Sequence, residues 1–356
     1  MDFTLTDEQV LLRDTARTLS SRECPPSLVR AHMDDRTALD PLWDHLREWT
    51  DLADGPLVDL CLFLEETGAV VAPGPFLATT ALFRPLGGMG VGTVAWADAD
   101  GRWPAEAGGG ATDSPVAGRR TGGAGEDVAR ADGRPANGGG GHDDRRTWVL
   151  DADVVDAVAV VLFGPSGPSV AFVEPGRLAL MPMELLDTTR RAFTVDVPAG
   201  LDVVPIEPER LRDVLSRATV AAAAEMVGTT RWMLATTVRY AKDRVQFGRP
   251  IGSFQAVKHR LADMSLAAER ACAAVYTAAM AHDAGHPDRF AATHAAKAAA
   301  GEAATFVAKN AVQLHGGIGF TWDHDLHLYL RRTYVADAFL GSASWHHDRL
   351  ADLLLA

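Results

Sequence analysis

Three cysteines are all that the 356 residues hold, and Cys24, Cys61 and Cys272 lie far apart with no CxxC pair. A disulfide framework and a structural zinc site are thereby excluded, and a reducing cytoplasm is the expected home. Long apolar runs are missing too. The longest, Val154 to Phe163, is interrupted by Asp156 and is too short to cross a bilayer. The opening residues, Met1 to Glu8, are acidic and lack the basic start of a secretory signal. Positive charge is in deficit: 34 Lys and Arg against 47 Asp and Glu leave a formal net charge of −13. With no basic cluster read along the chain, nucleic acid and an anionic membrane surface are not expected as main partners. A few placed arginines can still hold a phosphate. No GxSxG elbow occurs, so the sequence carries no sign of a Ser–His–Asp hydrolase.

What is present, 47% hydrophobic and 23% charged residues, fits a soluble globular chain of two or three domains. Three textures divide it. Residues 1–82 read as helical. Thr6 with Gln9 forms a capping-box pattern, Leu12, Ala16 and Leu19 recur at helical spacing, and a helix holding Leu60, Phe63 and Leu64 ends near Gly68. Residues 83–204 carry short β-prone runs at 93–97, 146–150, 154–162, 169–173 and 192–197, which predict a small antiparallel barrel or sandwich. Within them, about 106–144 is rich in Gly, Ala, Asp and Arg and reads as a disordered insertion. Residues 205–356 return to long helical patterns. Half of 291–312 is alanine, which lets helices approach closely in an antiparallel bundle.

Two stretches carry chemistry. Asp243 to Gln255 (DRVQFGRPIGSFQ) sits in the break between two predicted helices. An arginine at a helix end, a tight turn and a glutamine opening the next helix could grip a pyrophosphate; equally, the arginine could cap carbonyls and the glutamine start a helix. Gln313 to Phe320 (QLHGGIGF) places three glycines after the alanine-rich helix, either as a helix stop or as a place where a ligand comes close. It follows a helix, not a strand, so it is no dinucleotide-binding Rossmann turn. The histidines near 324–327 and 346–347 read as a polar helix start and a solvated face, and no metal is expected.

Taken together, these stretches resemble the acyl-CoA dehydrogenase family. The opening MDFTLTDEQ with Leu12 and Arg13, the Arg244 to Gln255 run, Gln313 to Phe320, and Asp325 to Arg332 all carry the likeness. It implies an α+β fold: an N-terminal helical domain, a middle β domain and a C-terminal four-helix bundle, with FAD between the last two and its ADP half reaching a neighbouring bundle. By that resemblance Arg244 matches the pyrophosphate-binding arginine, Gln246 and Phe247 its neighbours at the cofactor, and Gln255 the next glutamine. Gln313, Gly316 and Gly317 match the loop that receives the adenosine end.

The family reaction removes a proton from Cα of an acyl thioester and a hydride from Cβ. The weakly acidic Cα proton needs a carboxylate base. One family position for that glutamate, aligned on Arg331 and Gly341, is Leu340; the other, counted back from Phe247 through Gly228, is Ala218. Neither takes a proton, so no catalytic residue is assigned. Glu225 is the conceivable substitute, displaced along the helix. The flavin-facing Thr-Glu-Pro…Gly-Ser-Asp and Trp-Ile-Thr-Asn runs are also absent. One half of a cofactor site kept and the other lost is similar to the short chains of actinobacterial α2β2 acyl-CoA dehydrogenases. The implied partner is a second dehydrogenase-like subunit, with an acyl-CoA or carrier-bound acyl substrate. A homodimeric flavoenzyme of altered chemistry and a non-catalytic scaffold are the competing expectations.

Overall fold

The computed structural model of the chain describes residues 4–97 and 145–355. The predicted insertion at 106–144 lies outside them. The N-terminal region holds α1 (Asp7–Glu23), α2 (Pro26–Asp34), α3 (Asp40–Leu46) and α4 (Leu57–Gly68), then a single turn, α5 (Phe76–Ala78), that widens into a π-helical turn over Thr79–Phe83. The Thr6 side chain accepts from the Gln9 amide, and Gln9 returns the bond to the Thr6 amide. The capping box is therefore real and starts α1 where the sequence places it. Nearly all of α4 is buried, because α1 lies on one side of it and the bundle on the other.

The middle region is two sheets. One orders β1 (Gly92–Ala95), β3 (Ala157–Gly164), β4 (Gly167–Val173) and β7 (Val204–Pro205); the other orders β2 (Arg145–Leu150), β6 (Ala192–Asp196) and β5 (Ala179–Pro182). All pairs are antiparallel except β1 with β3, which run parallel. A sandwich with one parallel pair therefore replaces the wholly antiparallel arrangement expected. The short strands β5 and β7 had no strong β signal and were not foreseen. Ala95, Val149, Val158, Val160, Val173 and Val195 fill the space between the sheets.

The C-terminal region is a bundle of α6 (Pro208–Asp243), α7 (Gln255–Asp283), α8 (Arg289–His315) and α9 (Leu326–Ala338), with α10 (Ala343–Leu355) packed on α8. Between α6 and α7 lies a two-residue hairpin, β8 (Val245–Gln246) and β9 (Arg249–Pro250). Its tip is Phe247-Gly248, with both residues at positive φ (52° and 75°), as a primed turn demands. Helices α4 and α6 cross with backbones in contact. A Cβ on Gly68 would lie 2.1 Å from the Glu225 carbonyl oxygen, and one on Gly228 would lie 1.8 Å from that of Glu65.

Candidate cofactor site

In an up-and-down bundle, the ends of α6 and α8 and the start of α7 fall at one pole. Tyr240 fixes this pole: its hydroxyl donates to the His315 carbonyl (3.3 Å) and its ring stacks on the His315 ring (4.3 Å). The Ile251 amide donates to the Arg244 carbonyl (2.8 Å), and Gly252 packs against the last turn of α6 because it has no Cβ. Arg244, Gln246, Phe247, Gln255, Gln313, Gly316 and Gly317 thus share one pole, and every one is solvent-exposed. Phe247 is 92% exposed, held out by its left-handed backbone, and its ring meets Phe254 edge-on.

The charge of this pole opposes that of the chain. Residues 239–260 hold Arg239, Lys242, Arg244, Arg249, Lys258 and Arg260 against Asp243 alone. The chain-wide balance hid this cluster, and counting charge in windows would have found it; the expectation of no basic cluster is corrected here. The Arg244 guanidinium has no partner among the described residues. A Cβ at Gly316 or Gly317 would meet nothing within 4 Å, so backbone there is open to approach. A free guanidinium, a basic rim and bare backbone suit a diphosphate and its nucleoside.

The positions where a base is needed are different in kind. Leu340 is 2% exposed and follows α9 in a turn at φ 58°, with Gly341 at φ 100°. That turn is clamped: buried Lys297 donates to the carbonyls of Ala336 (3.1 Å), Asp337 (2.9 Å) and Gly341 (2.7 Å), and His346 Nε2 meets the Leu340 carbonyl at 2.9 Å. Burial lowers the Lys297 pKa to about 8. Ala218 is fully buried within α6.

Glu225, the one conceivable substitute, is committed elsewhere. Its Oε1 accepts from Arg190 (2.7 Å) and Arg332 (3.2 Å). Arg332 also donates to Asp187 Oδ2 (2.6 Å), to Thr189 Oγ1 (2.7 Å) and to the Val71 and Ala72 carbonyls. Asp187 in turn accepts from the Thr189 amide and hydroxyl. Two arginines and two carboxylates, all buried, so join the turn after α4, the loop before β6, α6 and α9. Glu225 is thus buried and tied to both guanidinium groups rather than presented to an open site. Neighbouring Asp151, on a left-handed backbone (φ 50°), has its pKa pushed up to about 7 by burial, against the pull of Arg190.

At the seam between sandwich and bundle, β2 ends in Trp148-Val149-Leu150, and Asp151 begins the turn that follows. Trp148, in a bulge at φ 60°, lies against Phe339 with ring centroids 6.5 Å apart.

A serine, a histidine and an aspartate do meet elsewhere. Ser216 Oγ lies 3.1 Å from His282 Nε2, and Asp213 Oδ1 lies 3.4 Å from His282 Nδ1. Ser216 is buried inside α6, where the helix uses the backbone amides an oxyanion would need, so the set ties α6 to α7 and α8 and is no nucleophile. No helix among the described residues is long and apolar enough to cross a membrane, and no cluster of metal-ligating side chains occurs among them.

Comparison with known proteins agrees with this architecture. Residues 211–355 match the acyl-CoA dehydrogenase C-terminal domain. The acyl-CoA dehydrogenase IpdE2 of Mycobacterium tuberculosis is 31% identical over 350 residues, covering 94% of both chains. FadE34 of the same organism, also an acyl-CoA dehydrogenase, is 35% identical over 308 residues, which are 82% of this chain and 38% of FadE34. The solved Tcur3481–Tcur3483 steroid ACAD superposes with a TM-score of 0.78 at 26% identity, covering 99% of each chain. With helices, sandwich and bundle in the same order and a relative of this similarity along nearly its whole length, the chain belongs to the acyl-CoA dehydrogenase family of flavin-dependent oxidoreductases.

Proposed function

We propose that the chain is the base-deficient subunit of a FAD-dependent acyl-CoA dehydrogenase. It holds the ADP half of the cofactor while a related partner chain supplies the glutamate and the pocket for the flavin ring. The observation that carries this reading is the contrast between two sites on one molecule. Arg244 stands free on an exposed basic pole, whereas the base positions are Leu340 and Ala218, both buried and apolar.

In this assignment Arg244 pairs with the diphosphate, Gln246 and Gln255 offer neutral donors beside it, and the bare backbone at Gly316 and Gly317 admits the adenosine. Because each of these groups faces solvent, a nucleotide there has one open side, and a second subunit is the cover that excludes water from it. Exposed Phe247 and Phe320, 92% and 70% accessible, are the apolar groups that such a cover buries. When bound, the flavin supplies hydride acceptance from Cβ of the thioester; the Cα proton needs a carboxylate from outside this chain. Among relatives, the length of FadE34 leaves room beside the matched 38% for a second unit in the same polypeptide, and the solved relative is named for two designations together.

Expression alone and together with a neighbouring dehydrogenase gene tests the reading. The expected outcome is a colourless or weakly coloured chain alone, and a complex with one FAD per pair that oxidises an acyl-CoA. In that complex Arg244→Ala is expected to weaken FAD retention at least tenfold, as loss of a charged partner of a phosphate implies. Full flavin absorbance with thioester oxidation by the chain alone overturns the proposal. One flavin per chain in a homodimer without such oxidation would favour altered chemistry instead.

A further inference from the structure

Helices α6 and α9 run in opposite directions along one seam. Glu225 of α6 pairs with Arg332 of α9, and Trp232, two turns further along α6, stacks on Tyr329, which precedes Arg332 (centroids 3.5 Å, planes 2° apart). Followed the other way, α6 leads back two turns to Ala218 while α9 leads on to Leu340. Both base positions thus belong to the same end of one seam. An acyl group with its Cα at that end and its tail running inward would have to pass Arg332.

That passage is filled. Arg332 is 1% exposed, and its guanidinium donates to Asp187, Thr189, Glu225 and the Val71 and Ala72 carbonyls, so every nitrogen is engaged. Arg190 approaches Glu225 from the sandwich side. On the α4 side, the Gly68 and Gly228 contacts leave no gap between α4 and α6 that would admit even one added methyl group. Beyond the cluster the Trp232–Tyr329 stack closes the seam, and the next space, a cavity of about 360 Å³, opens outward past Tyr329 and Val71.

We infer that the Arg332–Glu225–Arg190–Asp187 cluster is a built plug that closes the acyl channel of this chain, so that in the proposed complex only the partner takes an acyl tail. This rests on the functional reading above. The plug is specific in its chemistry: two cations and two anions balance, and an apolar tail offers none of the hydrogen bonds that its entry would break.

The test uses decanoyl-CoA carrying a photoreactive diazirine at the end of its acyl chain, applied to the isolated full chain and to the charge-balanced double variant Glu225→Ala with Arg332→Ala. Labelled peptides are mapped by mass spectrometry, with plain decanoyl-CoA as competitor. Expected are no saturable labelling of α6 or α9 in the natural chain and at least a tenfold gain in the variant. Saturable, competed labelling of α6 or α9 in the natural chain overturns the plug. So does a variant with native circular dichroism that gains nothing, since other groups then close the channel. Should the variant fail to fold, the natural-chain arm still decides. Flavin stoichiometry of the complex is a separate readout: one flavin per chain would end the subunit assignment while leaving the labelling result intact.

Discussion

Asp151 shows what a single side chain can cost at neutral pH. Burial holds its carboxyl near 7, well above the ordinary value of 3.8, with Asp153 and Asp187 adding to the rise and Arg190 and Arg332 opposing it. The folded chain therefore keeps a proton that the unfolded chain has already lost between about pH 4 and pH 7. Over that window stability falls as pH rises, and it flattens above it. Asp151→Asn keeps the shape and removes the titration. The variant is expected to gain about 3 kcal/mol on the natural chain between pH 5 and pH 8, read from urea unfolding at the two pH values. A parallel fall in both proteins would place the titrating group elsewhere. Such a costly residue on a left-handed backbone lies beside the plug, where the sequence alone shows only an aspartate after a strand.

At the scale of elements, the crossing of α4 and α6 sets the frame. Gly68 and Gly228 let the two backbones touch, and Glu65, beside that contact, is held by Arg231 and by the Tyr276 hydroxyl (2.7 Å). Gly228→Ala puts a methyl group into the Glu65 carbonyl, and the helices must part. The expected loss is about 3 kcal/mol or more, measured as a lowered denaturation midpoint at unchanged slope.

Helices α1 and α4 and the long bundle helices were legible because their signals are local: the Thr6–Gln9 cap, the end at Gly68, the alanine face of α8; the short α2, α3 and α5 were not placed. The parallel β1–β3 pair and strands β5 and β7 were not, since their pairing depends on partners distant in sequence. The same division holds for the candidate site. Arg244, Gln255 and the Gly316–Gly317 turn are visible as motifs beside helix breaks, and the apolar residues at 218 and 340 can be counted out. The fate of Glu225 could not be read, because Arg190 and Arg332 reach it from 35 and 107 residues away.

For the whole molecule, the division of charge is the leading feature. A chain of net charge −13 gathers six cations against one anion in residues 239–260 and sets Phe247, Ile318, Phe320 and Trp322 exposed at or near the same pole. In isolation, that combination favours self-association. Phe247→Ser with Phe320→Ser is expected to make the isolated chain more monodisperse by light scattering and to weaken its complex with the proposed partner at least tenfold. Unchanged assembly would move the interface to another face.

The four-residue ionic cluster has an evolutionary corollary. Under the proposed division of labour, restoring a proton acceptor at one codon would not return independence to this polypeptide, because the cluster around Arg332 would also have to be dismantled. On that reading the two genes of the pair would be retained or lost together.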